Sequence, residues 1–306
     1  MKTNVALVYD IPGWAFHRMS LQLARNAPSD WNFSTYPTPE KRMMKAFHEF
    51  LSKENQLVHY FSKYTPLFRN GVVSTTSVHS HPNPGERKFV SESLQEREFF
   101  VISRELHALY SSKFPSKSIP ICYDGVETST FYPRSKAGQA KALRIGWVGN
   151  STWGDNDHKG FHSIFLPVVD VLRSQGIAIE VKVADPTMSN IPYALMPRFY
   201  DEVDVLLCTS RSEGTPMPIL EAGVMKRAWI STRTGIVPEM AGTLQSEFIV
   251  DRSVDSFVTA VKKLNLDRQL LEACGEENHE IIHGSWGLQR SIDSRVRFFA
   301  HVLDRS

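Results

Sequence analysis

Val203-Asp204-Val205-Leu206-Leu207-Cys208-Thr209-Ser210-Arg211-Ser212-Glu213-Gly214-Thr215-Pro216-Met217-Pro218-Ile219-Leu220-Glu221 reads as a short apolar strand, a polar turn and the first turns of a helix. A strand that is apolar on both faces meets water on neither, so it belongs in a parallel sheet covered on both sides by helices. Pro218 suits the opening of a helix, because proline brings a preset φ and lacks only an N–H that the first turn leaves unbonded anyway.

The same strand-helix alternation runs outward in both directions, and repeated βα units argue for an α/β protein rather than a sandwich or a bundle. Towards the N-terminus the pattern predicts strands at 5–9, 57–61, 72–76, 99–103 and 119–122, with helices over 16–25 and 104–114. Nearer the quoted stretch it predicts strands at 143–148, 179–183, 203–208 and 229–231, with a helix over 162–175 after the first. The polar segment 133–141 carries Pro and Gly and no apolar period, so it reads as the linker between two series. The expected architecture is two Rossmann-like domains facing across a cleft, spanning residues 1–135 and 136–285, followed by an amphipathic helix within 286–306.

Composition agrees with this and removes other classes. The 306 residues are 42% hydrophobic, enough for two ordinary cores. Lys and Arg total 35 against 33 Asp and Glu, a formal charge of +2, so no nucleic-acid partner is expected. The 3 cysteines, Cys122, Cys208 and Cys274, form neither a disulfide framework nor a zinc motif. No apolar run reaches the roughly 18 residues of a membrane span, and no signal-peptide pattern precedes the first strand. A cytoplasmic protein is the expectation. Within 41–51, Met44, Phe47 and Leu51 share a stripe flanked by Lys and Arg. The better reading is an ordinary helix packed on a sheet, with weak peripheral contact at the inner face of a membrane as the alternative.

Two stretches carry candidate chemistry. After strand 143–148 come Gly149-Asn150 and, beyond a polar loop, Lys159-Gly160 at the head of the next helix. A glycine lets backbone N–H groups approach an anion, and a lysine beside a helix N-terminus adds positive potential, so phosphate is the natural occupant. In the quoted stretch Glu213 and Glu221 are separated by seven residues. Carboxylates accept well from vicinal hydroxyls, so Glu221 suits a ribose, while Glu213 and the turn Gly214-Thr215-Pro216-Met217 suit a sugar. The bland alternative makes Glu213 a helix cap and Glu221 a solvated first-turn residue.

The second stretch resembles the E-x7-E motif of family 4 retaining glycosyltransferases of GT-B fold, first described as glycosyl transferases group 1. Further segments match that family in order: Asp124-Gly125-Val126-Glu127 with Phe131-Tyr132-Pro133, then Gly149 with Lys159-Gly160, then Gly235-Ile236-Val237-Pro238-Glu239. The resemblance covers nearly all of the second domain and the end of the first, and is thin across residues 20–70. It implies that Lys159 binds a donor diphosphate, that Glu221 binds the nucleotide ribose and that Glu213 contacts the transferred sugar. It further implies an active-site histidine after a first-domain strand, His79 or its neighbour His81, and a donor-facing glycine, Gly13, after the first strand. The last helix, over 287–303, is expected to cross back onto the first domain.

The implied activity is a metal-independent, retaining transfer from a nucleoside diphosphate sugar to a glycan, lipid-linked or small-molecule hydroxyl, with no cofactor. Asn150 stands where many relatives carry a basic residue, and the run from Ala222 to Ala228 departs from the family pattern. A sugar-nucleotide-binding protein without transfer activity and a GT-B sugar-nucleotide epimerase are therefore the alternatives. Asp155-Asn156-Asp157 imitates the D-x-D metal motif of another glycosyltransferase fold but reads as a solvated loop. His79-Ser80-His81 lacks the accompanying ligands of a metal site.

Overall fold

In the computed structural model, which describes residues 2–61, 72–80, 87–154 and 156–306, the chain forms two compact units, Met1–Tyr123 with Gln289–Ser306 and Asp124–Leu288. The first is built on β1 (Thr3–Tyr9), β2 (Trp31–Pro37), β3 (Leu57–Tyr60), β4 (Val73–Val78) and β5 (Glu98–Val101), with α1 (Ala15–Arg25), α2 (Met44–Glu54), α3 (Arg87–Gln95) and α4 (Arg104–Lys113). Its five-stranded sheet has the order β2-β1-β3-β4-β5, and its strand pairs are parallel. Val5, Ala6, Leu7 and Val8 of the inner strand β1 are all buried, whereas the edge strand β2 buries Trp31 and Phe33 and exposes Asn32 between them. β2 is an addition to the strands expected from the sequence. The apolar run 119–122, by contrast, makes only an isolated bridge between Ile121 and Val101.

The second unit carries β6 (Leu143–Val148), β7 (Ile179–Ala184), β8 (Val205–Cys208), β9 (Ala228–Thr232) and β10 (Ile249–Val250). Its helices are α5 (Leu166–Ser174), entered through a π-helical turn at Phe161–Phe165, then α6 (Met196–Asp201), α7 (Met217–Val224), α8 (Val237–Met240), α9 (Val254–Leu266) and α10 (Arg268–Ser285). This five-stranded parallel sheet has the order β10-β9-β8-β6-β7. Its core joins Leu143, Ile145 and Trp147 of β6 and Val205 and Leu207 of β8 to Phe165 and Val168 from one helix and Phe257 and Val261 from another.

The polar stretch that reads as a linker is fixed within this second unit. Arg134 N–H donates to Asp201 Oδ1 (3.0 Å), Ser135 Oγ donates to the Asp201 carbonyl (2.8 Å), and buried Arg227 donates to the Ser135 carbonyl (2.8 Å). Gly138 N–H and the Arg144 guanidinium both donate to Asp204 Oδ1, at 2.8 and 2.6 Å. Its polar residues satisfy buried charges, which is why apolar periodicity is missing without the chain being a tether. Nearby, Asp124-Gly125-Val126 pairs with the α10 exit, where Val126 N–H donates to the Trp286 carbonyl and Leu288 N–H to the Val126 carbonyl (3.0 and 2.9 Å).

The last helix, α11 (Leu288–Leu303), belongs to the first unit from Gln289 onward. It buries Ile292, Arg295, Phe299 and Val302 along one helical stripe. Phe299 packs on Trp31, Phe33 and His59, with ring centroids 6.5, 6.1 and 5.0 Å away. The α2 stripe is likewise core-facing, with Leu51 buried and Phe47 against Ala6, Val8, Val58 and Tyr60, so it serves as sheet cover. No helix among the described residues is long and apolar enough to cross a membrane.

Candidate functional site

The second sheet reverses its strand order between β6 and β8, since β6 pairs with β7 on one side and β8 on the other. Open parallel sheets bind ligands outside the strand C-termini at such a switch point, where the two following loops diverge. Here those loops carry the sequence motifs. They are knitted together: Trp147 Nε1 donates to Thr209 Oγ1 (3.1 Å), Thr209 Oγ1 donates to the Lys159 carbonyl (2.7 Å), and His158 Nε2 donates to the Ser212 carbonyl (2.9 Å). Gly160 sits at φ +72°, where a Cβ would lie 2.3 Å from the Thr209 carbonyl oxygen, so only glycine lets the two loops touch.

This contact brings Lys159 and Glu213 together. Lys159 Nζ donates to Glu213 Oε1 at 2.6 Å, with side chains 25% and 15% exposed, and Ser210 Oγ donates to the same oxygen at 2.5 Å. Glu213 N–H donates to Thr234 Oγ1 (2.6 Å), and Ile236 N–H to the Gly214 carbonyl (3.0 Å), so the loop after β9 clamps the turn from behind. Among the described residues the Gly214 and Thr215 N–H groups meet no intramolecular acceptor, and Thr215 Oγ1 is buried without a partner. Met217 N–H is already donated to the Thr215 carbonyl (2.8 Å), and Pro216 has none, so the turn offers fewer donors than its length suggests. A ligand or a water molecule can satisfy such groups, and Thr215 Oγ1 is one of several buried side-chain atoms in this position among the described residues.

Both bland readings of the glutamate pair fail. α7 is preceded by Pro216 with no side-chain cap, so Glu213 caps nothing, and Glu221 is 4% exposed rather than solvated. Glu221 Oε2 accepts from the Tyr200 hydroxyl at 2.7 Å.

The residues nearer the β6 end are more committed to the fold than the sequence suggested. At Gly149 a Cβ would lie 2.7 Å from the Trp147 indole, which gives that glycine a packing reason. Asn150 Oδ1 accepts from Thr152 N–H and Oγ1, at 2.9 and 2.8 Å, and so closes its own turn. Asp157 is not a free solvated carboxylate: Ser163 N–H donates to its Oδ2 (2.6 Å) at the helix entrance. Burial opposes its charge, but hydrogen bonds from Ser163 and His162 outweigh burial and hold its carboxyl below the ordinary range. The helix end expected to face a phosphate is thus already partly met by a protein carboxylate. Asp155 lies outside the described residues. Burial, helped by the Glu213 carboxylate, pushes the Cys208 thiol up to about 11, so it stays protonated beneath the pair and is no nucleophile at neutral pH.

In the first unit, Gly13 follows β1 at φ +83° and donates its N–H to His17 Nδ1 (2.8 Å). His79 directly follows β4, hydrogen-bonded through Nε2 to Ser77 Oγ (2.9 Å) and tilted on Phe16, with centroids 4.8 Å apart. His81 lies outside the described residues. Sequence reasoning missed Ser210, Thr234 and Tyr200. For Ser210 and Thr234 the available signal was position, since Ser210 lies just past β8 at the switch point and Thr234 just past β9, the neighbouring strand.

The family model described as Glycosyl transferases group 1 matches residues 187–280. That span contains Glu213, Glu221, Tyr200 and the clamp at Thr234. No curated protein matches the chain. Among solved structures it is similar to a glycosyltransferase from Rickettsia africae (TM-score 0.72, 14% identity, 100% of both chains). It is similar also to the sucrose-phosphate synthase of Thermosynechococcus elongatus (TM-score 0.75, 12% identity, 100% of both chains). A third is HepE of Anabaena in complex with UDP-glucose (TM-score 0.72, 9% identity, 97% of this chain and 99% of that one). The two parallel α/β sheets are those of the GT-B glycosyltransferase fold.

Proposed function

We propose that the protein is a glycosyltransferase that moves a sugar, with retention and without a metal, from a nucleoside diphosphate donor to an acceptor hydroxyl. The observation that carries this reading is the Lys159–Glu213 contact at the β6/β8 switch point, beside the unpartnered Gly214 and Thr215 donors. Lys159 meets the diphosphate and neutralises the charge that develops as it leaves. Glu213, released from Lys159 by that diphosphate, turns to the hydroxyls of the departing sugar, and Glu221 holds the ribose. His79, the histidine that the family resemblance implies, is proposed to contact the transferred sugar. UDP-glucose bound to HepE, a protein of the same fold, supports a nucleotide sugar as donor.

The test is turnover of UDP-, GDP- and ADP-sugars, with water and with simple sugar acceptors, in the presence of EDTA. Release of nucleoside diphosphate together with an α-linked product from an α-linked donor is expected. Tight donor binding with no turnover on any acceptor would leave a silent binder, and isomerised donor with no acceptor present would leave an epimerase.

A further inference from the structure

Glu221 poses a physical problem that its neighbours solve. A glutamate has three rotatable bonds, and a carboxylate buried on the second turn of α7 costs free energy unless donors hold it. Tyr200, on α6, supplies one: its hydroxyl lies 2.7 Å from Glu221 Oε2. Tyr200 is itself 0% exposed. Its ring is fixed by Phe131 and Phe199, with centroids 6.0 and 5.4 Å away, and Phe131 packs in turn on Tyr193 at 5.6 Å. A phenylalanine would fill the same space, so the burial of a phenol is explained by the acceptor that its hydroxyl meets.

We infer that Tyr200 is a positioning residue that sets the orientation of Glu221 towards the ribose hydroxyls of the donor, with Phe131 as the wedge that keeps the phenol in place. The Phe131-Tyr132-Pro133 segment thereby acts on nucleotide recognition through Tyr200, without touching the nucleotide. This inference rests on the assignment of Glu221 to the ribose.

The experiment measures binding of UDP, GDP and ADP, and of their 2′,3′-dideoxy forms, to the native protein, Tyr200→Phe, Glu221→Ala and the double variant. For whichever base binds, the native protein is expected to prefer the ribose form. Tyr200→Phe loses about tenfold of that preference, the scale of one hydrogen bond to a charged group, while affinity for the dideoxy form holds within about twofold. Adding Tyr200→Phe to Glu221→Ala changes nothing further, because the hydroxyl acts through the carboxylate. An unchanged preference in Tyr200→Phe, or equal losses for both forms, overturns the inference and leaves the ribose assignment standing. A native protein with no preference for the ribose form overturns that assignment itself. Should Tyr200→Phe fail to fold, Phe131→Leu keeps the hydroxyl and loosens only its wedge. A selective fall in ribose preference is then expected, and an equal fall for both ligand forms overturns the inference.

Discussion

Lys159 and Glu213 stand 54 residues apart in the chain and 2.6 Å apart in the fold. Neither side chain is fully buried, at 25% and 15% exposed, so solvent screens the pair and it adds at most about 1 kcal/mol to stability. In the proposed transfer a donor diphosphate would offer Lys159 a stronger partner than one carboxylate, and Glu213 would keep Ser210 as its second anchor. Both side chains are therefore expected to matter for rate and little for stability. Lys159→Ala and Glu213→Ala are each expected to lower turnover by about 10²- to 10³-fold, the cost of removing one preorganised electrostatic group. Thermal unfolding should shift little in either, and native turnover in one of them would remove that residue from the mechanism. Ser210→Ala leaves Lys159 in place and is expected to be milder in rate. Comparing the three in one donor-turnover assay ranks the contacts on the single oxygen Oε1.

At the scale of elements, the site depends on three loops following β6, β8 and β9, and the tightest point among them is Gly235. Its φ is +50°, and a Cβ there would lie 1.9 Å from the Gly214 carbonyl oxygen and 2.9 Å from that of Glu213. Both are backbone atoms, so Gly235→Ala forces the turn itself to move. A shift of roughly 1 Å in a positioned group costs about a hundredfold in rate. Gly235→Ala is therefore expected to lose that much turnover at saturating donor while remaining folded, and unimpaired turnover would show that the clamp is dispensable. The loop after β8 was legible in the sequence because Glu213, its turn and Glu221 form one contiguous stretch. The clamp was legible only as a family-like segment, since nothing in Thr234-Gly235 alone states which turn it backs. Edge strand β2 escaped for a related reason: Trp31-Asn32-Phe33-Ser34 alternates in polarity, unlike the doubly buried strands that defined the pattern. The run at 119–122 misled in the opposite sense, because Pro120 has no N–H to give a ladder and the segment stops at one bridge. Tyr200 left no signature, as a buried phenol on a short helix reads as core until its acceptor is located.

At the scale of the whole molecule, the two units hold their buried titratable groups in opposite ways, and this predicts separate responses to acid. In Met1–Tyr123 with Gln289–Ser306, burial, the Arg295 guanidinium and His79 hold His59 well below the ordinary histidine range, and burial with Arg97 pushes His48 down to about 4. His59 is 0% exposed and its Nε2 has no partner, so it folds as the neutral ring. A histidine with a depressed folded pKa binds more protons unfolded than folded. Its contribution is complete above about 6.5 and falls as pH drops, by about 1.4 kcal/mol per pH unit for each such proton. In Asp124–Leu288 the shifted carboxylates are Asp157, Asp185 and Asp204. For each, burial opposes the charge but hydrogen bonds outweigh it; Asp204 accepts from Arg144 at 2.6 Å and Asp185 from Thr187 N–H at 2.8 Å. Their pKa values lie below the ordinary 3.8, so their contribution is complete above that value and is lost only as pH falls through the folded values. Lowering the pH from 7.5 to 5 is therefore expected to weaken the first unit and spare the second. Hydrogen exchange resolved by peptide and corrected for intrinsic rates measures this directly. Protection should fall in β1, β3 and β4 while β6 and β8 keep theirs, and His59→Gln should remove its share of the slope. Equal loss of protection in both sheets over that range would show that the neutral histidines do not govern the first unit's stability.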